Sequence, residues 1–139
     1  MARISIEFPP TFNFTATIPV RITDVNYGGH VGNDTILSII HEARVQYLKS
    51  LGYTEKNFGG VGLIMSDVVI NFKNELFYGD VISAAVAAIN ISRASFDIVY
   101  VLKNGDAIIA EAKTGMVCFD YDKRKVTALP EEVKQRFAK

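Results

Sequence analysis

An α+β domain, with one antiparallel β-sheet wrapped around one long central helix, is predicted by three features of the sequence. Sustained helical periodicity runs only from about Thr35 to Leu51. One run rich in β-branched and aromatic residues precedes that segment and four long ones follow it. Tyr78-Gly79-Asp80 and Asn104-Gly105 interrupt the later runs where an antiparallel meander must reverse. The 139 residues are too few for a second domain of ordinary size, so residues 1–139 are expected to form one unit.

The first strand is expected within Thr11 to Ile22, where Phe12, Phe14, Ala16 and Ile18 alternate with mostly polar neighbours. Pro19 has no N–H to donate to a ladder, which places this strand at an edge or a bulge. In the helix, Ile36, Ile40, Ala43, Tyr47 and Leu51 recur at helical spacing, and Leu37, Ile39 and Leu48 widen the apolar face. Thr35, Ser38, Glu42, Gln46 and Lys49 form a narrow polar stripe. A helix this apolar is expected to be mostly surrounded by protein. Asn33 or Asp34 suits the N-cap and Gly52 the C-terminal stop. Strands are then predicted over Leu63 to Phe72, Val81 to Ile91, Ser95 to Leu102 and Ala107 to Phe119, with a short one at Val126 to Leu129. Pro130 to Phe137 reads as a terminal helical turn or two.

Fifteen Lys and Arg balance fifteen Asp and Glu, which argues against a nucleic-acid partner, because phosphate binding usually needs a basic excess. Cys118 is the single cysteine, so an intrachain disulfide framework is excluded and a reducing compartment suits the chain. No window has the apolar length of a membrane span, and Met1 to Pro10 lacks the apolar core of a secretion signal. A cytoplasmic protein with no membrane partner is expected. Two histidines without a Cys pair also argue against a metal site.

One segment concentrates polar groups beside a helix start: Asp24, Asn26, His30, Asn33 and Asp34, separated by Gly28, Gly29 and Gly32. Glycines allow close approach of backbone to a ligand, and the unpaired N–H groups of a first helical turn favour negative charge. An acyl carbonyl placed there would find an oxyanion site on the N–H groups of Val31, Gly32 and Asn33. Asp, Asn and Gly are equally the residues that a strand-to-helix turn needs without any chemistry.

Arg21-Ile22-Thr23-Asp24-Val25-Asn26-Tyr27-Gly28-Gly29-His30-Val31-Gly32-Asn33, followed by His41-Glu42-Ala43-Arg44, resembles the signature of the 4-hydroxybenzoyl-CoA thioesterase-type hot-dog acyl-CoA thioesterases. Leu76 to Asp80, Ser92 to Phe96, Ala110-Glu111-Ala112 and Phe119-Asp120 are similar to its later landmarks. The resemblance implies the hot-dog fold, an acyl-CoA substrate, hydrolysis to free acid and coenzyme A, and no separate cofactor. It also departs from the pattern, because the loop's catalytic Asp corresponds here to Asn26, which can be neither nucleophile nor base. A related branch, similar to the phenylacetyl-CoA thioesterases, carries its carboxylate on the central helix, and the matching position is Glu42.

Glu42, His30, Asn26 and Asp24 are therefore the catalytic candidates. Desolvation on an apolar helix would make Glu42 a better base, while Asp24 suits bracing of the loop. His41 is expected in the core. Coenzyme A phosphates require cations, for which Lys73, Arg93 and Arg124, in the Lys123-Arg124-Lys125 cluster, are candidates. Gly62 is expected to line an acyl tunnel. Exposed sheet edges predict self-association to a homodimer or homotetramer. A non-catalytic acyl-CoA-binding protein, or an enoyl-CoA hydratase suggested by Asp24-x-Asn26 and His30, are the alternatives.

Overall fold

The computed structural model describes residues 4–138. Strand β1 (Phe14–Pro19) leads through a 3-10 turn (Ile22–Asp24) and the glycine loop into helix α1 (Asn33–Ser50). Strands β2 (Gly62–Phe72), β3 (Val81–Ile89), β4 (Ser95–Asn104), β5 (Ala107–Asp120) and β6 (Lys125–Val126) follow, and helix α2 (Glu131–Phe137) ends the chain. The strands form one antiparallel sheet in the order β1-β3-β4-β5-β2, with β6 also paired to β5. This is the predicted architecture, with β1 and its Pro19 at an edge.

Cross-strand register explains where the core lies. Ala16, Ala84, Leu102 and Ala110 stand opposite one another across four strands, and Phe14, Val86, Tyr100, Ala112 and Ile70 form the next row on the same face. The four alanines leave room for the helix, whose Ile36, Ile39, Ile40, Ala43, Tyr47 and Leu48 are buried. Tyr47 and Phe14 meet with ring centroids 5.6 Å apart. Beyond the C-terminus of α1, Tyr53, Phe58, Phe96 and Phe137 form an aromatic cluster with centroids 5.0 to 6.1 Å apart. Helix α2 is fixed there by Phe137 and by Arg136, which donates to the Leu51 carbonyl at 2.9 Å.

Turn chemistry accounts for the element ends. Gly52 adopts φ +87, donating to Lys49 O while Tyr53 N–H reaches Leu48 O; this pair of bonds closes α1 as a Schellman motif. In the β4–β5 hairpin the two turn residues are Gly105 and Asp106, and positive φ falls on Gly105. The reversal thus sits one residue later than Asn104-Gly105 suggests.

Three expectations are corrected. Helix α1 begins at Asn33 rather than Thr35, with Gly32 at the N-cap and no side-chain cap, so Asn33 and Asp34 are its first helical residues. The last strand is two residues, not Val126 to Leu129, because Leu129 leaves the ladder to bury itself and bond the Arg93 carbonyl. Helix α1 is covered on one face only: Leu37, Ser38, His41, Glu42 and Val45 are exposed, since a single sheet reaches only one side of a helix.

Candidate active site

The glycine loop is a small hairpin fastened at both ends. Val25 bridges Val31, Asn26 N–H donates to His30 O at 2.9 Å, and Val31 N–H donates to Leu76 O at 2.8 Å. Val31 is therefore not a carbonyl-binding donor, because its N–H is already committed to the segment after β2. In the first turn of α1, Thr35 N–H reaches Gly32 O at 3.1 Å. Gly32, Asn33 and Asp34 precede it and have no intrahelical acceptor for their N–H groups, so these three remain, of which Gly32 and Asn33 adjoin the loop.

Asp24 is buried beneath this loop. Its carboxylate accepts from Arg21 N–H at 2.8 Å and from the Arg21 guanidinium at 3.0 Å. Burial opposes ionisation here, but the Arg21 hydrogen bonds outweigh it and hold the carboxyl below the ordinary carboxylate value. With both oxygens engaged, Asp24 braces the turn and is not placed to attack a substrate.

Asn26 is exposed, and its Oδ1 accepts from Gly28 N–H at 2.9 Å, which turns its Nδ2 toward Gly32. A Cβ built on Gly32 would lie 3.4 Å from that Nδ2 and 2.7 Å from Asp34 Oδ1. His30 is half-buried, with Nδ1 3.1 Å from the Val31 carbonyl. A carbonyl can only accept, so Nδ1 carries a proton, and Nε2 is the ring nitrogen left without a partner among the described residues. That Nε2 would lie 3.3 Å from a Cβ on Gly28. Beside this loop, His30, Asn33, Ile36, Phe72, Lys73 and Leu76 line a groove of about 240 Å³. Lys73 also sits 3.7 Å from Glu111.

Glu42 does not join this cluster. It lies nine residues beyond Asn33, about 13 Å along the helix axis. Its carboxylate is exposed and accepts from Gln46 at 2.8 Å, so the expected desolvation is absent on the described chain. It lines a second groove, of about 360 Å³, with Arg21, Asp24, Ser38 and residues of β1. Gly62, Arg93 and Arg124 are also elsewhere. Gly62 begins β2 and Phe72 ends it, so roughly 33 Å of extended chain separates Gly62 from Phe72, which lines the groove. Gly62 pairs with Phe119 and is covered by Tyr121; Arg93 and Arg124 lie at that same end of the sheet. Arg124 holds φ +56 in the β5–β6 turn, where Asp120 Oδ1 accepts from two backbone N–H groups.

His41, expected in the core, and Arg44 form a separate polar network with Glu55. His41 is exposed rather than in the core, with Nε2 2.9 Å from Glu55 Oε1. Arg44 is the buried one: Nε donates to the same Glu55 oxygen at 3.4 Å, and Nη1 donates to Tyr100 Oη at 3.3 Å. Tyr100 Oη lies 2.7 Å from Thr114 Oγ1, deep in the sheet. Burial pushes the Tyr100 phenol up, so it stays protonated.

Residues 20–137 match the family described as the thioesterase-like superfamily. A 1,4-dihydroxy-2-naphthoyl-CoA hydrolase of Microcystis aeruginosa is 31% identical over 118 residues, covering 83% of this chain and 86% of its own. An acyl-CoA thioesterase of Haemophilus influenzae is 23% identical, over 87% of this chain and 93% of its own. Among solved structures, a 1,4-dihydroxy-2-naphthoyl-CoA thioesterase from Synechocystis superposes with TM-score 0.81 at 24% identity, covering 90% of this chain and 95% of that one. The helix-wrapping sheet, the glycine loop that opens α1 and a family match across nearly all the described residues agree: the chain belongs to the thioesterase-like superfamily.

Proposed function

We propose that the protein hydrolyses an acyl-CoA thioester to the free acid and coenzyme A, with the thioester carbonyl bound at the N-terminus of α1. The observation that carries the site assignment is the groove at that terminus. It is lined by His30, Asn33 and an apolar wall of Ile36, Phe72 and Leu76, and the Gly32 N–H and the Asn26 side chain belong to the loop beside it. Those donors oppose the charge that develops on the carbonyl oxygen as water adds, and a carboxylate or histidine of the same loop takes the proton from water. Lys73 stands at the groove as a cation for a coenzyme A phosphate. Arg93 and Arg124, at the far end of the sheet, could serve such a phosphate only from another copy or along a different path.

The relatives named for 1,4-dihydroxy-2-naphthoyl-CoA make aromatic acyl groups the first to test. Purified protein should release free thiol from at least one of a short-chain, a long-chain and an aromatic acyl-CoA, followed with a thiol reagent. Tight acyl-CoA binding without release would instead select the non-catalytic reading, and loss of crotonyl-CoA absorbance the hydratase one.

Self-association belongs to the same proposal. β1 is a short edge that ends in Pro19, whereas β2 is an eleven-residue edge with Met65, Val68 and Phe72 exposed. A long apolar edge of this kind invites pairing with a second copy. Sedimentation should give a mass at least twice 15.4 kDa, falling toward the monomer when Val68 is replaced by Lys. A wild-type monomer at micromolar concentration would overturn it.

A further inference from the structure

The geometry points to Asp34 as the general base of the reaction, the carboxylate that lies over the N-cap glycine of α1. The inference rests on the hydrolysis proposed above and names the group that takes the proton from water. Asp24 has both oxygens engaged by Arg21. Glu42 is about 13 Å away along the axis. Asn26 cannot accept a proton at its amide. Asp34, the second residue of α1, turns its side chain back over the start of the helix, so that its Oδ1 lies 2.7 Å from where a Cβ of Gly32 would be. The same point is 3.4 Å from Asn26 Nδ2. A carboxylate oxygen and an amide donor thus lie over the bare Cα of Gly32, the residue that supplies the first of the free N–H groups. No ion pair among the described residues involves Asp34, so its lone pairs are not held by a cation.

This arrangement divides the work among three groups. Gly32 and Asn33 N–H groups hold the carbonyl oxygen. Asn26 Nδ2, oriented by the Gly28 bond to Oδ1, donates to water or to that oxygen. Asp34 Oδ1 accepts one proton from water as the water oxygen bonds to the carbonyl carbon. The tetrahedral adduct then collapses, the carbon–sulfur bond breaks with its electron pair on sulfur, and the proton held by Asp34 passes to the thiolate. The products are one carboxylic acid and one coenzyme A thiol, and Asp34 is returned ionised. His30 Nε2 faces Gly28 instead of Gly32, one step further from the donor pair.

Because the side chains of Asn26 and Asp34 both lie over Gly32, a carboxylate moved between them should keep part of its function. The test measures steady-state hydrolysis of the best acyl-CoA by wild type, Asp34→Asn, Asn26→Asp and the Asn26→Asp/Asp34→Asn pair. Asp34→Asn should lower kcat by about 100-fold or more, the usual range for losing a general base, and change KM less than about threefold. The pair should regain at least about tenfold over the single variant, while Asn26→Asp alone should raise kcat less than about threefold over wild type; a gain of about tenfold there would show that position 26 takes a base independently of Asp34 and would overturn the assignment. Asp34→Asn retaining more than a third of wild-type kcat overturns the assignment, as does a pair no faster than Asp34→Asn. A wild-type protein that hydrolyses no acyl-CoA would remove the reaction itself, and this is read in the first arm before any variant is compared.

Discussion

Replacing Glu55 by Gln is expected to destabilise the fold by about 2–3 kcal/mol, below the usual 3–5 for a broken buried pair because Glu55 keeps partial contact with solvent. The cause lies on the other side of the pair. Arg44 is almost wholly buried among Ile40, Leu48 and the sheet, and Glu55 is the carboxylate that faces its guanidinium. Without its charge a cation remains in the interior with only neutral partners, the Gln amide oxygen and the Tyr100 hydroxyl. Arg44→Met should cost less, since the side chain volume is largely kept, the buried charge is gone, and Tyr100 still has Thr114. The Arg44→Met/Glu55→Gln pair should therefore be more stable than Glu55→Gln alone, an inversion of simple additivity. Urea denaturation of the four proteins at pH 7 checks the order. A Glu55→Gln variant no less stable than Arg44→Met would mean that water, not Glu55, solvates the guanidinium.

That network also shows where reading the sequence stops. The Glu42-Ala43-Arg44 stretch invites a pairing of neighbours, yet Arg44 bonds Tyr100, which is 56 residues away, and Glu55, which lies in a loop. Helical spacing orders residues around an axis, but it does not say which side the sheet will cover. His41 and Glu42 turned outward and Arg44 inward for that reason. Strand pairing is likewise non-local. Gly62 and Arg124 carry chemistry plausible for a substrate site, and the antiparallel register of β2 on β5 sends them to the opposite end of the sheet from His30. Where the signal is local, it was legible. Gly52 and Gly105 adopt the positive φ that stops and reversals require, and the β-branched runs became the strands. The glycine loop was recognisable for the same reason, since the bonds that shape it from Asn26 to His30 run between residues two to four apart, and only its tie from Val31 to Leu76 is long-range. Asn33 and Asp34 looked like caps because a capping side chain and a first-turn side chain have the same chemistry. Only the backbone shows that Gly32 holds the cap position.

Gly32→Ala is expected to lower kcat by about 100-fold while leaving the fold intact, since a misplacement near 1 Å in a reacting group can cost that much. The backbone at Gly32 has φ −76 and ψ 160, which alanine adopts without strain. Stability should then be nearly unchanged, or rise slightly as the unfolded chain loses freedom. The new methyl would lie 2.7 Å from Asp34 Oδ1, closer than a carbon and an oxygen can stand, so the Asp34 side chain must swing away from the helix start. Asn26 Nδ2, at 3.4 Å, has only slightly more room. Every charged group of the site is retained, so a loss of rate reports position and not composition. Thermal unfolding and kcat on one preparation separate the two effects. A melting temperature near wild type together with a large loss of kcat would place the reacting groups over this glycine, whereas wild-type kcat would show that chemistry does not occur at the start of α1.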